Sequence, residues 1–162
     1  MTESPHPLKA ILPPPRCYLS CRYSAQMLQG RLYTPEHYWM QQESPGVWRV
    51  GLTPWLLRVL GDLESCTFDL APNSGMLIGR QVGAIRGING VIKVRAVTEG
   101  TLIQFNPMLA ESLEAMAHDC CGSGWLYLSK GMRDPNACDV MGYRRMLDEA
   151  MNAVCGAGPT LQ

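Results

Sequence analysis

Residues 83–97 read GAIRGINGVIKVRAV. Apolar residues flank Asn89-Gly90 on both sides, so the stretch reads as a strand, a tight turn and a second strand. Asn-Gly between apolar runs is the strongest short-range hairpin signal, because a type I′ turn needs two residues that tolerate positive φ. Asn89-Gly90 is therefore expected at the tip. In the outgoing strand, alternation puts Ile92 and Val94 on one face and Lys93 and Arg95 on the other, the solvated one. A hairpin this strongly specified presents one residue at its apex, and the identity of that residue bears on function.

Outward from the hairpin the chain is made of short elements. Upstream, 38–42 and 47–52 read as strands around a Ser-Pro-Gly turn at 44–46. Residues 53–61 read as a compact helix with Thr53 as N-cap, Pro54 at the first position and Gly61 at the stop. Residues 65–70 alternate as a half-buried strand, 72–75 turn, and 76–88 lead into the hairpin. Downstream, 101–105 and 124–130 are strands. Residues 106–118 are expected to form one helix, capped by Asn106 with Pro107 at its start. Residues 139–155 form an amphipathic helix with Val140, Tyr143, Met146, Leu147 and Met151 near one face. Many short strands, about three helices and no βα alternation predict an α+β, mainly β fold with a small sandwich or barrel at its core. Residues 1–30 read as an extension: Pro13-Pro14-Pro15 favours polyproline II, and 23–32 suits a short helix between Ser24 and Gly30.

With 162 residues the chain suits one domain. Its 14 Lys+Arg balance 14 Asp+Glu, which gives no reason to expect nucleic acid or an anionic membrane as partner. No apolar run approaches the roughly 20 residues of a membrane span. The N-terminus lacks the basic and continuous apolar regions of a signal peptide, so a cytoplasmic location is expected. Seven cysteines then read as thiols rather than as a disulfide framework.

Five segments carry a resemblance: YTPEHYW (33–39), VGLTPWLLRVLGDL (50–63), VGAIRGINGVIKVRAVTEG (82–100), FNPML (105–109) and GSGWLYL (122–128). In order and spacing they resemble the H protein of the glycine cleavage system, over about residues 31–130. Asp134-Pro135 and the final helix (the 131–162 element) resemble that family's C-terminal part. The resemblance implies a biotinyl/lipoyl-type fold, a flattened barrel-sandwich hybrid of two small sheets with peripheral helices and a C-terminal helix. It also implies a carrier lysine at a hairpin apex, holding a lipoyl arm that shuttles aminomethyl groups and electrons between the system's proteins. The family's Glu-Ser-Val-Lys-Ala falls on Arg86-Gly87-Ile88-Asn89-Gly90. The attachment lysine thus falls on Asn89, and Gly100 stands at the family spacing from it. A carboxamide is not a nucleophilic amine and cannot be lipoylated.

The expected role is accordingly a non-catalytic docking or regulatory module with no cofactor. Its partner-binding hairpin is Arg86, Gly87, Asn89 and Gly90, and its partners are proteins, such as glycine cleavage or lipoate-handling enzymes. The alternative is a working carrier with lipoate on Lys93 or with the thiols Cys120 and Cys121 in place of the lipoyl dithiol. Lys93 lies four residues past the apex, where a solvated strand lysine is the plainer reading. Cys17, Cys21, Cys120 and Cys121 could supply four thiolates to zinc, but the spacing is unlike the common knuckles, and no metal site is expected. Cys66, Cys138 and Cys155 suit core or helix-face positions. Glu36-His37 suits a structural turn better than a base and its partner. Trp39, Trp48, Trp55 and Trp125 are expected as core anchors.

Overall fold

A computed structural model describes residues 31–155, with side chains through residue 149. The proline run, the Cys17/Cys21 pair and the side chains of Met151 and Cys155 lie outside the described residues, as does most of the 23–32 helix expectation. Its last residue, Leu32, is instead in a strand.

A two-residue turn at Pro45-Gly46 joins β2 (Tyr38–Ser44) and β3 (Val47–Leu52) into a hairpin, buried where Tyr38–Met40 pair with Val50–Leu52, with the short β1 (Leu32–Tyr33) on its outer edge. Thr53 and Pro54 then start helix α1 (Pro54–Leu60), whose Trp55, Leu56, Val59 and Leu60 are buried. The helix stops at Gly61, which has φ +78° and donates its N–H to the Leu57 carbonyl. Beyond it follow β4 (Leu63–Phe68), β5 (Gly75–Met76), β6 (Gln81–Gly87), β7 (Gly90–Arg95) and β8 (Thr98–Phe105). Helices α2 (Met108–Glu111) and α3 (Glu114–Asp119), strand β9 (Tyr127–Arg133) and helix α4 (Val140–Cys155) complete the order.

Among the described residues the strands form two antiparallel sheets, one of six strands in the order β1-β2-β3-β9-β8-β5 and one of three in the order β4-β6-β7. Their inner faces share one core, in which Trp39, Met40, Val50, Leu52, Val82, Ile85, Val94, Leu102 and Leu126 are wholly buried. Each fully buried aliphatic side chain of this kind stabilises the fold by about 1.5–3 kcal/mol relative to exposure. Two tyrosines tie the layers together: the Tyr38 hydroxyl accepts from the Arg95 N–H at 2.8 Å and that of Tyr127 from the Val97 N–H at 3.1 Å. Phe68 and Phe105 stack at 3.8 Å across the same gap. The expected mainly β architecture with peripheral helices and a C-terminal helix is the one observed.

Several local expectations are corrected. The expected helix over 106–118 is two short helices. Ser112 between them is extended (φ −161°, ψ 142°), and its hydroxyl accepts from the Glu114 N–H to restart the second one. Asn106 does cap the first turn, accepting from the Met108 N–H at 3.0 Å. Residues 76–88 hold the last residue of β5, a turn over Leu77–Arg80 and the whole of β6, in keeping with a run interrupted by glycines. Strand β4 begins two residues earlier than its alternation suggests, and β9 begins and ends three later. Trp39 and Trp55 are core anchors, whereas Trp48 and Trp125 pack against the core only in part.

Candidate functional site

The β6–β7 hairpin forms where GAIRGINGVIKV directs it, but its turn is one residue off. Gly87 and Gly90 are the last paired residues, so the two-residue loop is Ile88-Asn89 rather than Asn89-Gly90. Neither has positive φ, and the expected type I′ geometry is absent. The reason is tertiary. The Asn89 N–H donates to the Leu60 carbonyl at 3.0 Å, and its side-chain Nδ2 donates to the Val59 carbonyl at 3.3 Å. The Ile88 N–H donates to the Asp62 carbonyl at 2.9 Å. The apex therefore caps the C-terminus of α1, satisfying carbonyls that a helix end leaves without partners.

Close approach here depends on two glycines. A Cβ at Gly87 would strike the Leu60 carbonyl oxygen, and one at Gly61 would come within 2.8 Å of Asn89 Nδ2 and 2.9 Å of Ile88 Cγ1. Ile88 remains 60% exposed beside the exposed Arg86, so the outward side of the tip presents one apolar and one cationic side chain. Lys93 stands in the β7 ladder opposite Ala84 and is exposed, with Ile92 and Val94 facing the core as alternation requires. It is not at the tip. Asn89→Ala removes one side-chain bond at a helix end and is expected to cost about 1 kcal/mol. This would appear as a lower urea midpoint with an unchanged m-value.

Beside the hairpin, α1, the 61–66 segment, α2 and α3 enclose an open groove of about 1490 Å³. Cys120 and Cys121 lie at its wall just past the end of α3, with their Sγ atoms 3.9 Å apart and no disulfide between them. Cys120 is 8% exposed and Cys121 half-buried. The pair divides its acidity unequally. The contact with Cys121 and burial hold the Cys120 thiol well above the ordinary range. The same hydrogen bond, aided by the Arg31 guanidinium, lowers that of Cys121.

Arg31 is the residue that sequence reasoning missed. Its Nε donates to Gln41 at 2.9 Å and its guanidinium lies 3.9 Å over the Trp39 ring. The Trp39 indole N–H in turn donates to the Cys120 carbonyl at 3.0 Å. Trp39 thus fixes both the cation and the thiol loop. It fits only because residue 51 is glycine, since a Cβ there would overlap the indole. Nothing local marks this cluster, because its members are brought together by strands and a loop far apart in the chain.

His37 is structural in its contacts. It sits in the turn before β2 at φ +76°, and its Nδ1 meets the Tyr143 hydroxyl at 2.7 Å. That hydroxyl also meets Thr53 Oγ1 at 3.1 Å. Cys66 and Cys138 are half-buried free thiols, and no group of three or more potential metal ligands exists among the described residues. No helix among them is long and apolar enough to cross a membrane.

Comparison with known proteins agrees with this architecture. The sequence model of the family described as glycine cleavage H-protein matches residues 31–146. The glycine cleavage system H protein of Rubrobacter xylanophilus is 28% identical over 127 residues, covering 77% of this chain and 98% of the relative. That of Cronobacter sakazakii is 24% identical over 122 residues, covering 72% and 92%. The crystal structure of a glycine cleavage system H protein from Mycobacterium marinum superposes with a TM-score of 0.68 at 22% identity, over 75% of this chain and 98% of that one. With the motifs, the two-sheet fold and the family match all falling on the same residues, the chain belongs to the glycine cleavage H-protein family.

Proposed function

We propose that this protein is a non-catalytic docking or regulatory member of its family, not lipoylated at the usual position, that presents its β6–β7 hairpin to a protein partner. One observation carries the reading. The apex residue Asn89 offers no amine for amide ligation, and its carboxamide is engaged with Val59 at the end of α1. The residues at the apex do not fit a lipoyl arm, and no carrier step is assigned to them. The binding surface is Arg86, Asn89 and Gly90 together with the exposed Ile88, whereas Gly87, expected to share it, is buried against Leu60. Partners of the glycine cleavage or lipoate-handling kind suit a chain whose relatives are H proteins of that system, and a cytoplasmic location is part of the same reading. A scaffold kept while its site changes is an ordinary route to a binding role.

The test is the intact mass of the protein purified from its native cell, with peptide mapping. An unmodified chain is the expected result. A mass increment of one lipoyl group mapped to Lys93 overturns the docking reading and makes the protein a carrier with a displaced site.

A further inference from the structure

The thiol pair is set in a wall that holds more than two sulfurs. Cys121 is partly accessible in the groove, and Cys120, 3.9 Å away, is almost wholly enclosed. Arg31 lines the same groove at 8% exposure, and its Nη1 has no hydrogen-bond partner although it is buried. A buried guanidinium nitrogen without a partner is costly, and an anionic group is what satisfies it best. The groove therefore brings together an accessible thiol, a second thiol 3.9 Å from it, and the Arg31 guanidinium, one nitrogen of which has no hydrogen-bond partner.

We propose that Cys121 is a nucleophilic thiol that exchanges with small disulfides bearing an anionic group, with Arg31 receiving the anion. The Cys121 thiolate attacks one sulfur of the disulfide. A new S–S bond forms as the old one breaks, and the departing sulfur leaves with the electron pair as a thiolate, which takes a proton from water. Cys121 is oxidised to a mixed disulfide and the departing half is reduced to a thiol, so the disulfide itself is the only oxidant needed. Cys120 keeps its proton and holds the Cys121 thiolate by hydrogen bonding. The site stands apart from the hairpin reading, because neither Asn89 nor Arg86 takes part in it.

The experiment uses the full chain and two aliphatic disulfides of similar leaving thiol, 3,3′-dithiodipropionate (anionic) and bis(2-hydroxyethyl) disulfide (neutral). Exchange is followed by intact mass and located by peptide mapping. One thiol is expected to react ahead of the rest, mapped to Cys121. Its preference for the anionic reagent is expected to exceed that of free cysteine by about tenfold, the size of one charge-assisted contact. Arg31→Gln should abolish that preference, Arg31→Lys should keep part of it, and Cys120→Ser should slow the exchange while leaving it on Cys121. Asn89→Ala should leave it unchanged. First labelling at Cys17, Cys21 or any other cysteine overturns the proposal. So does an anionic preference no greater than that of free cysteine, or one that survives in a folded Arg31→Gln variant.

Discussion

Acidification from pH 6.5 toward pH 4 is expected to remove up to about 3 kcal/mol of stability through His37 alone. Burial lowers its pKa from 6.5 to about 4, because the charged ring would lose hydration without gaining an anionic partner. In the folded protein the neutral ring meets the Tyr143 hydroxyl through Nδ1 and lies 4.4 Å from the Trp55 ring. Unfolded chains bind a proton at this residue below pH 6.5, whereas the folded protein does so only near pH 4. The contribution is therefore fully present above pH 6.5 and is lost as pH falls through that window. Some surface of His37 is accessible, so about 3 kcal/mol is the upper end. Urea midpoints at intervals between pH 7.5 and 4 measure it, and His37→Asn is the control, since asparagine tolerates the φ of +76° at this position. The variant is expected to be weaker at pH 7.5 and to lose less stability than the wild type down to pH 4.5. Parallel curves would sink the assignment. The effect reaches the candidate site, because Tyr143 also meets Thr53, the residue that starts α1. The other end of that helix carries the hairpin apex.

The sequence showed this fold best where local chemistry and tertiary packing agree. Thr53-Pro54 and Gly61 bracket α1 as propensity dictates, and 47–52 forms its strand over the residues that alternate. Strand ends were less legible. Strand β9 runs to Arg133 because β8 supplies partners as far as Thr98, information held 35 residues away rather than in the 124–130 pattern. The 106–118 helix broke at Ser112, whose hydroxyl competes for backbone donors more effectively than a continuing helix does. In the first case the deciding hydrogen bonds lay with a distant strand, and in the second with a local hydroxyl that the apolar pattern does not register.

The candidate site divides in the same way. The hairpin and the position of Lys93 in its ladder followed from alternation. The turn did not, because the φ preference of Asn-Gly is a local signal, whereas Asn89 serves as a donor to carbonyls of α1. The adjacent cysteines were visible as a pair, but the inequality between them was not. It rests first on the hydrogen bond between the two sulfurs and is aided by Arg31, which lies over the Trp39 indole that only Gly51 admits. A cation contributed from one edge strand region and a thiol from a loop some 90 residues later leave no joint signature in one sequence.

Serine at residue 87, where the resemblance sets the motif's serine, is expected to damage this chain, and the double variant Gly87→Ser/Asn89→Lys shows why. Gly87 is buried, and a Cβ there would meet the Leu60 carbonyl oxygen as well as its carbonyl carbon and Cβ at 3.0 Å each. These are largely backbone atoms of α1, unable to turn aside as a side chain tip would, so the hairpin itself must move. Overpacking of this kind costs about 1–3 kcal/mol. The displacement also breaks the bonds from Ile88 and Asn89 to Asp62, Leu60 and Val59, which are arranged for the shorter distance. Gly87→Ser is thus expected to lose about 2–4 kcal/mol in urea unfolding and to speed hydrogen exchange at the Ile88 and Asn89 amides. Once the apex has been pushed off, Asn89 has no cap left to lose. Adding Asn89→Lys to Gly87→Ser should then cost little, although Asn89→Lys alone costs about 1 kcal/mol. Strict additivity of the two changes would mean that glycine and asparagine act separately. The expected non-additivity would identify them as one device: a small residue that lets the apex close on the helix and a carboxamide that holds it there.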